Sequence, residues 1–265
     1  MLKRTLSVRK KFVPLFLLIL ATSFSSFTGF KSNFLFASTA VMDEVLLEVN
    51  PFSYDPEIVI VESENSFYNA KISLFDSLDL DSRGLGYEAF DLAIRGMDKL
   101  VADGAIERPE ILTIVDFSKP STEKRLFIID LEEKEILFNT YVSHGRNSGK
   151  LNAEKFSNRM SSNQSSLGFF KTAETYRGGH GYSLKLDGLE RGINDRARDR
   201  AIVVHGADYV NPNLIHTQGY IGRSLGCPAV SLRESKKIID NIKDGSVFFI
   251  YHPSQDYLRK STVLN

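Results

Sequence analysis

The rhythm of apolar and polar positions changes several times along the chain. Residues 12–21 (Phe12-Val13-Pro14-Leu15-Phe16-Leu17-Leu18-Ile19-Leu20-Ala21) form a short apolar core, followed by Ser and Thr. Residues 41–66 are mixed, contain Pro51 and Pro56, and read as a linker. Phe67, Tyr68, Ile72, Phe75 and Leu78 then recur at spacings near three and four, which predicts an amphipathic helix over 67–80. Asp81-Ser82-Arg83-Gly84 is turn-like. Tyr87–Val101 repeats the helical pattern through Phe90, Ala93, Ile94, Met97, Leu100 and Val101, and Asp103-Gly104 supplies a stop.

From residue 111 the period becomes that of strands. Ile111–Phe117, Arg125–Asp130, Ile136–His144, Leu167–Thr172, Tyr182–Leu186, Ala201–His205 and Val247–His252 are short runs rich in Ile, Val, Phe, Tyr and Leu, bounded by polar turns. Glu132-Glu133-Lys134-Glu135 reads as a hairpin connection. One helix interrupts the series: Ser231-Leu232-Arg233-Glu234 has capping-box spacing, Ile238, Ile239 and Ile242 form its apolar stripe, and Gly245 ends it. The pattern divides the chain into a leader (1–40), a linker (41–66), a helical pair (67–104), a mainly β domain (105–253) with one late helix, and a tail (254–265). The helical pair is expected to pack on the β domain. Two connections, 145–166 and 206–226, are too long for turns. Such loops in a compact domain are functional or disordered.

The leader changes the picture of charge. Across 265 residues, 33 basic and 33 acidic side chains cancel, but residues 1–40 hold Lys3, Arg4, Arg9, Lys10, Lys11 and Lys31 and no acid. The remainder carries 27 basic against 33 acidic residues, near −6. A basic surface that grips nucleic acid is therefore not expected. The basic start, apolar core, and small residues Ser38 and Ala40 match a secretory signal peptide cut after Ala40. The alternative is an uncleaved membrane anchor through residues 12–30, which are free of charge. Both readings export the rest to the periplasm or cell envelope. An exported chain with one cysteine, Cys227, has no internal disulfide, so packing must stabilise it.

That cysteine closes the second long loop, and a histidine opens it. The segments are Val204-His205-Gly206-Ala207-Asp208-Tyr209 and Gly222-Arg223-Ser224-Leu225-Gly226-Cys227-Pro228-Ala229. A cysteine nucleophile needs a base to become thiolate, and amide donors for the oxyanion that forms when it attacks a carbonyl. His205 closes a hydrophobic strand and is held by a rigid element. Gly226 lets the backbone turn so that amides converge. The expectation is that the Cys227 sulfur and the His205 ring meet at bonding distance. The five histidines lack metal-binding spacing such as His-Glu-x-x-His, so a zinc site is not expected.

A His-Gly at a strand end, then Ser-x-Gly-Cys some twenty residues later, resembles the catalytic segment of the murein L,D-transpeptidase catalytic domain family (YkuD-like). The resemblance covers roughly residues 110–252, including TIVDFSKPSTEKRLFIIDLEEKEILFNTYVSHG, SSLGFFKTAETY and HGYSLKL. It implies a β-sandwich fold and acyl transfer on peptidoglycan stem peptides, with no metal or organic cofactor. Cys227 would be the acyl-accepting nucleophile and His205 the general base, with the Gly206 carbonyl fixing the ring. The amides around Leu225, Gly226 and Cys227 would form the oxyanion hole. The bond attacked would join an L-centred diamino acid to a terminal D-Ala, and the acyl group would pass to an amine. Two positions depart from the family pattern: its His before Gly-Cys is Leu225 here, and its Arg two residues after Cys is Ala229. Arg223 is the candidate replacement charge for a substrate carboxylate. Ser224, Leu225, Tyr182 and His180 are further candidate substrate contacts.

Other polar residues carry plainer readings. His216 is a candidate second base in the loop, His180 also reads as a turn residue, and His144 and His252 read as structural. The run from Glu190 to Arg200 reads as solvated surface, or as a basic stretch that meets stem-peptide carboxylates. Two rival functions stay open: an L,D-carboxypeptidase or endopeptidase that passes the same acyl group to water, and a non-catalytic wall-binding module. A papain-like protease fits less well, because there the cysteine precedes the histidine in the chain.

Overall fold

The computed structural model describes residues 69–265; the leader, the linker and Phe67 and Tyr68 of the first expected helix lie outside the described residues. Residues 69–77 are helical (α1), and Phe75 on this helix meets the rings of Tyr87 and Phe90 at 5.3 and 5.4 Å. Helix α2 (Tyr87–Ala102) buries Ala89, Phe90, Ala93, Ile94, Gly96, Met97 and Leu100, the stripe that a 3.6-residue period lays on one face. Val101 falls outside that stripe and is 37% exposed. The helix closes in a Schellman turn. Gly104 takes a left-handed φ of 69°, and the amides of Gly104 and Ala105 donate to Val101 O and Leu100 O at 3.0 and 2.9 Å.

Eight strands follow: β1 (Arg108–Asp116), β2 (Leu126–Asp130), β3 (Glu135–Thr140), β4 (Gly168–Gly178), β5 (Gly181–Gly188), β6 (Val203–Ala207), β7 (Ala229–Ser231) and β8 (Ser246–Tyr251). They form one sheet in the order β3-β2-β1-β8-β4-β5-β6-β7. Each of the seven expected strands is present; β7, three residues long, was not legible. The β1–β8 and β6–β7 pairs are parallel and the others antiparallel. The segment leaving β3 reaches the far edge: Ser143 N donates to Ala229 O at 2.8 Å. The fold is thus mainly β, and the layers expected of a sandwich are limbs of one curled, nearly closed sheet.

The late helix, α4 (Leu232–Ile242), begins where the sequence placed it. Ser231 is its N-cap and accepts from Glu234 N, and Ile238, Ile239 and Ile242 are buried. It packs against β1, β5, β6 and β7, so the curled sheet folds around it. Two six-residue helices were not expected, α3 (Asn213–Gln218) in the second long loop and α5 (Gln255–Lys260) at the C-terminus. The C-terminal residues are therefore no free tail. Tyr257 and Ser261 donate their hydroxyl protons to the buried carboxylate of Glu190, which also accepts from Phe169 N at 2.7 Å.

Phe169 of β4 stacks on Phe249 of β8 with centroids 4.1 Å apart. Helix α2 lies directly on this pair, because a Cβ added at Gly96 would sit 2.0 Å from the Phe169 ring. The helical pair therefore shares one hydrophobic core with the sheet. Gly96→Ala must push helix and ring apart, and the expected cost of such overpacking is about 1–3 kcal/mol. Urea unfolding checks this; an unchanged midpoint would show that α2 is not seated on Phe169.

Candidate active site

Strand β6 positions the histidine. His205 is 1% exposed, and its Nδ1 lies 3.0 Å from Gly206 O. A carbonyl only accepts, so Nδ1 carries the proton and Nε2 keeps its lone pair. Burial is the main cause that lowers the imidazole pKa; the Gly206 contact opposes this, and the charge of His180 adds to it. His180 sits at the tip of the β4–β5 hairpin, where Gly178 pairs with Gly181, and its ring stacks on His205 at 4.2 Å and 21°. The expected turn residue thus also faces the candidate base.

Parallel pairing of β6 with β7 sets His205 opposite Ala229, two residues beyond Cys227. The Cys227 turn is built from Ser224, which is buried. Its Oγ donates to Cys227 O at 2.6 Å and accepts from Gly226 N at 3.0 Å. Gly226 has φ 129°, and a Cβ there would stand 2.9 Å from Gln164 O, so conformation and space both favour glycine. The Gly226 amide is occupied by Ser224, whereas among the described residues no acceptor takes the amides of Leu225 or Cys227.

The thiol does not bond the imidazole. Cys227 Sγ donates to Ala201 O at 3.5 Å, and the expectation of a direct sulfur–imidazole bond is corrected accordingly. The reason is local: the thiol lies against the start of β6, where the Ala201 carbonyl is the acceptor in reach, while the His205 ring stacks on His180. Burial pushes the thiol pKa up, and the Val203 amide and the Arg200 guanidinium pull it down. The half-buried charge at Arg200 was not legible, because it stands in a run of charges that otherwise reads as surface.

The remaining candidates separate. Leu225 is 62% exposed beside the cysteine. Arg223 is half-buried, donates from Nη1 to Arg146 O and Gly149 O at 3.1 and 2.9 Å, and lies over the Tyr220 ring. Tyr182 is not on the His205 face. Its neighbour Ser183 pairs with His205, and the Tyr182 hydroxyl donates to Asp240 of α4 at 2.8 Å on the opposite side. His216 is exposed on α3. Among the described residues no group of three His, Cys, Asp or Glu is arranged to hold a metal, and no helix is long and apolar enough to cross a membrane.

A buried polar network supports the loop that braces the cysteine turn. Arg125, fully buried, donates to Lys119 O, Val142 O and His144 Nδ1, the last at 2.7 Å. The His144 ring is therefore neutral, with its proton on Nε2 facing Gly149 O at 3.3 Å. Burial, followed by the Arg125 charge, lowers its pKa to about 3. Next to it, Ser224 N donates to His144 O at 3.0 Å and Arg146 N to Ser224 O at 2.8 Å.

Comparison with known proteins adds the family. The family model for the L,D-transpeptidase catalytic domain matches residues 81–251, which include α2, all eight strands and the Cys227 turn. A search of curated proteins found no match. Among solved structures, an L,D-transpeptidase from Mycobacterium smegmatis is similar at 15% identity and TM-score 0.34, covering 54% of this chain and 59% of that one. A variant of the helical cell shape determining protein Pgp2 from Campylobacter jejuni gives 14% and 0.38, covering 61% and 57%. An L,D-transpeptidase from Stackebrandtia nassauensis gives 16% and 0.33, covering 63% and 67%. The chain thus spans under two thirds of the length of the first two.

The His144 geometry gives a pH prediction. Unfolded, this imidazole takes a proton near pH 6.5; folded, it does so only near pH 3. Between these values the unfolded state holds more protons. Stability is full above about pH 6.5 and falls as the pH drops toward 3, by about 5 kcal/mol in total. Denaturant unfolding from pH 7 to pH 4 checks this against His144→Gln, which should show a flatter slope; equal slopes would contradict it. The match over more than half of the sequence, spanning the sheet and the His205–Cys227 segment, makes this chain a member of the L,D-transpeptidase catalytic domain family.

Proposed function

We propose that the protein performs cysteine-dependent acyl transfer on peptidoglycan stem peptides, outside the cytoplasm. The observation that carries this reading is the His205 ring, held by Gly206 O so that its basic Nε2 is free, on the strand paired with the one that Cys227 leads into. In this mechanism the thiol turns from Ala201 O and gives its proton to Nε2. The thiolate attacks the carbonyl between the L-centred diamino acid and D-Ala. The amides of Leu225 and Cys227 bind the oxyanion, and the imidazolium protonates the departing D-Ala amine. The resulting thioester is attacked by an acceptor amine, whose proton returns to His205. Ser224 and Gly226 act here by shaping the turn, and the half-buried Arg223, two residues before the exposed Leu225, attracts a substrate carboxylate.

Water in place of the amine would make the same residues an L,D-carboxypeptidase or endopeptidase, and one assay separates the outcomes. The protein is incubated with tetrapeptide-rich muropeptides beside Cys227→Ala and His205→Gln. Cross-linked dimer with D-Ala release is the expected product, reduced at least about 1000-fold in both variants. D-Ala release without dimer would assign hydrolysis, and no product from the unaltered protein would leave a wall-binding module. Arg223→Ala should raise KM for a carboxylate-ended stem several-fold with kcat little changed; an unchanged KM would remove Arg223 from substrate binding.

A further inference from the structure

Arg200 is the residue next to the carbonyl that takes the Cys227 proton. Its side chain runs beneath the cysteine turn. A Cβ added at Gly226 would lie 3.3 Å from Arg200 Nη2. The guanidinium is held from several sides. Nη1 donates to Ser157 O at 2.7 Å and to Ser166 Oγ, while Nη2 donates to Ser162 Oγ at 3.2 Å and Gln164 O at 2.5 Å. None of these partners is a carboxylate, so no ion pair among the described residues neutralises its charge. By contrast Arg198, two residues earlier, is paired with Glu174 and Asp187 in solvent. A cation spanned by four neutral acceptors and set beneath the turn that carries the thiol has a use that a solvated surface arginine lacks.

We propose that Arg200 is a positioning residue for the Cys227 thiolate: it holds the 157–166 loop against the cysteine turn and places an uncompensated positive charge beside the sulfur. The proposal rests on reading Cys227 as the nucleophile. An opposite charge within a few ångströms favours the ionised form of a thiol that burial would otherwise keep protonated. His205 then need not hold the thiolate by itself before substrate arrives, which agrees with the thiol bonding Ala201 O rather than the imidazole. The charged and titratable groups that interact with the sulfur are Arg200 from the segment before β6 and Tyr209 from the connection after it, while the His205 ring stacks on His180.

The test reads the thiol directly. Iodoacetamide alkylation rates of the full chain are measured from pH 5 to 10 for the unaltered protein, Arg200→Gln, Arg200→Lys and Ser162→Ala. Arg200→Gln should move the alkylation midpoint up by about one pH unit and slow alkylation at pH 7 about tenfold. Arg200→Lys, which keeps the charge but cannot span four acceptors, should restore most of the shift. Ser162→Ala, which removes one loop contact and no charge, should leave the midpoint in place. An unshifted midpoint in Arg200→Gln, or equal shifts in the Gln and Lys variants, would overturn the proposal. The two readings fail separately. Muropeptide turnover with an unshifted midpoint sinks only the role of Arg200, and a shifted midpoint without turnover sinks only the transfer reaction.

Discussion

The parallel pairing of β6 with β7 is the constraint on which the candidate site depends. Parallel neighbours cannot be joined by a tight hairpin, so the chain must leave β6 after Ala207 and travel back before entering β7 at Ala229. That return path is the loop that carries α3 and delivers Cys227 from outside the sheet. The register then fixes which residues become neighbours. His205 opposite Ala229 leaves Cys227 just ahead of the strand, against the start of β6 and within reach of Ala201 O. A slip of one residue would turn His205 toward α4, on the face where Gly206 already meets Ser235.

Pairing alone would leave the cysteine turn floppy, and buried polar groups remove that freedom. Ser224 spans the turn with two hydrogen bonds, and the residues around it bond the segment that leaves β3. That segment is pinned in turn by Arg125 and a neutral His144. On the other side Arg200 clamps the 157–166 loop. Buried donors left unpaired cost about 1–3 kcal/mol each, so these contacts specify one arrangement strongly. Family membership and this frame agree: the matched residues run from before α2 to the end of β8.

Much of this was legible in the sequence because period and capping are local signals. The apolar stripe of α2, the Ser231 cap of α4 and seven of the strands follow from spacing alone. Strand β7 did not, because Ala229-Val230-Ser231 is too short to show alternation and follows Pro228. Helices α3 and α5 are six residues each, too short to show a period, and α5 is held by a tertiary contact, Tyr257 on Glu190. Within the site, the Cys227 and His205 segments could be read from spacing and residue type. The stacking of His180 on His205, the displacement of Tyr182 to the α4 face and the placement of Arg200 under the cysteine turn could not. Each depends on which side of a sheet or loop a side chain takes, and turns such as Gly178–Gly181 and 190–200 carry no periodicity that reveals it.

The sulfur of Cys227 is proposed to carry the acyl group between donor and acceptor, and every other role assigned to the site depends on this. Intact-protein mass spectrometry after brief mixing with a tetrapeptide donor, with no acceptor amine present, tests it most directly. The predicted result is a mass increase equal to the donor less D-Ala, with the adduct on the peptide that contains Cys227 and lost on mild hydroxylamine treatment, as a thioester should be. D-Ala release with no adduct at any time point, or an adduct on another residue, would contradict it.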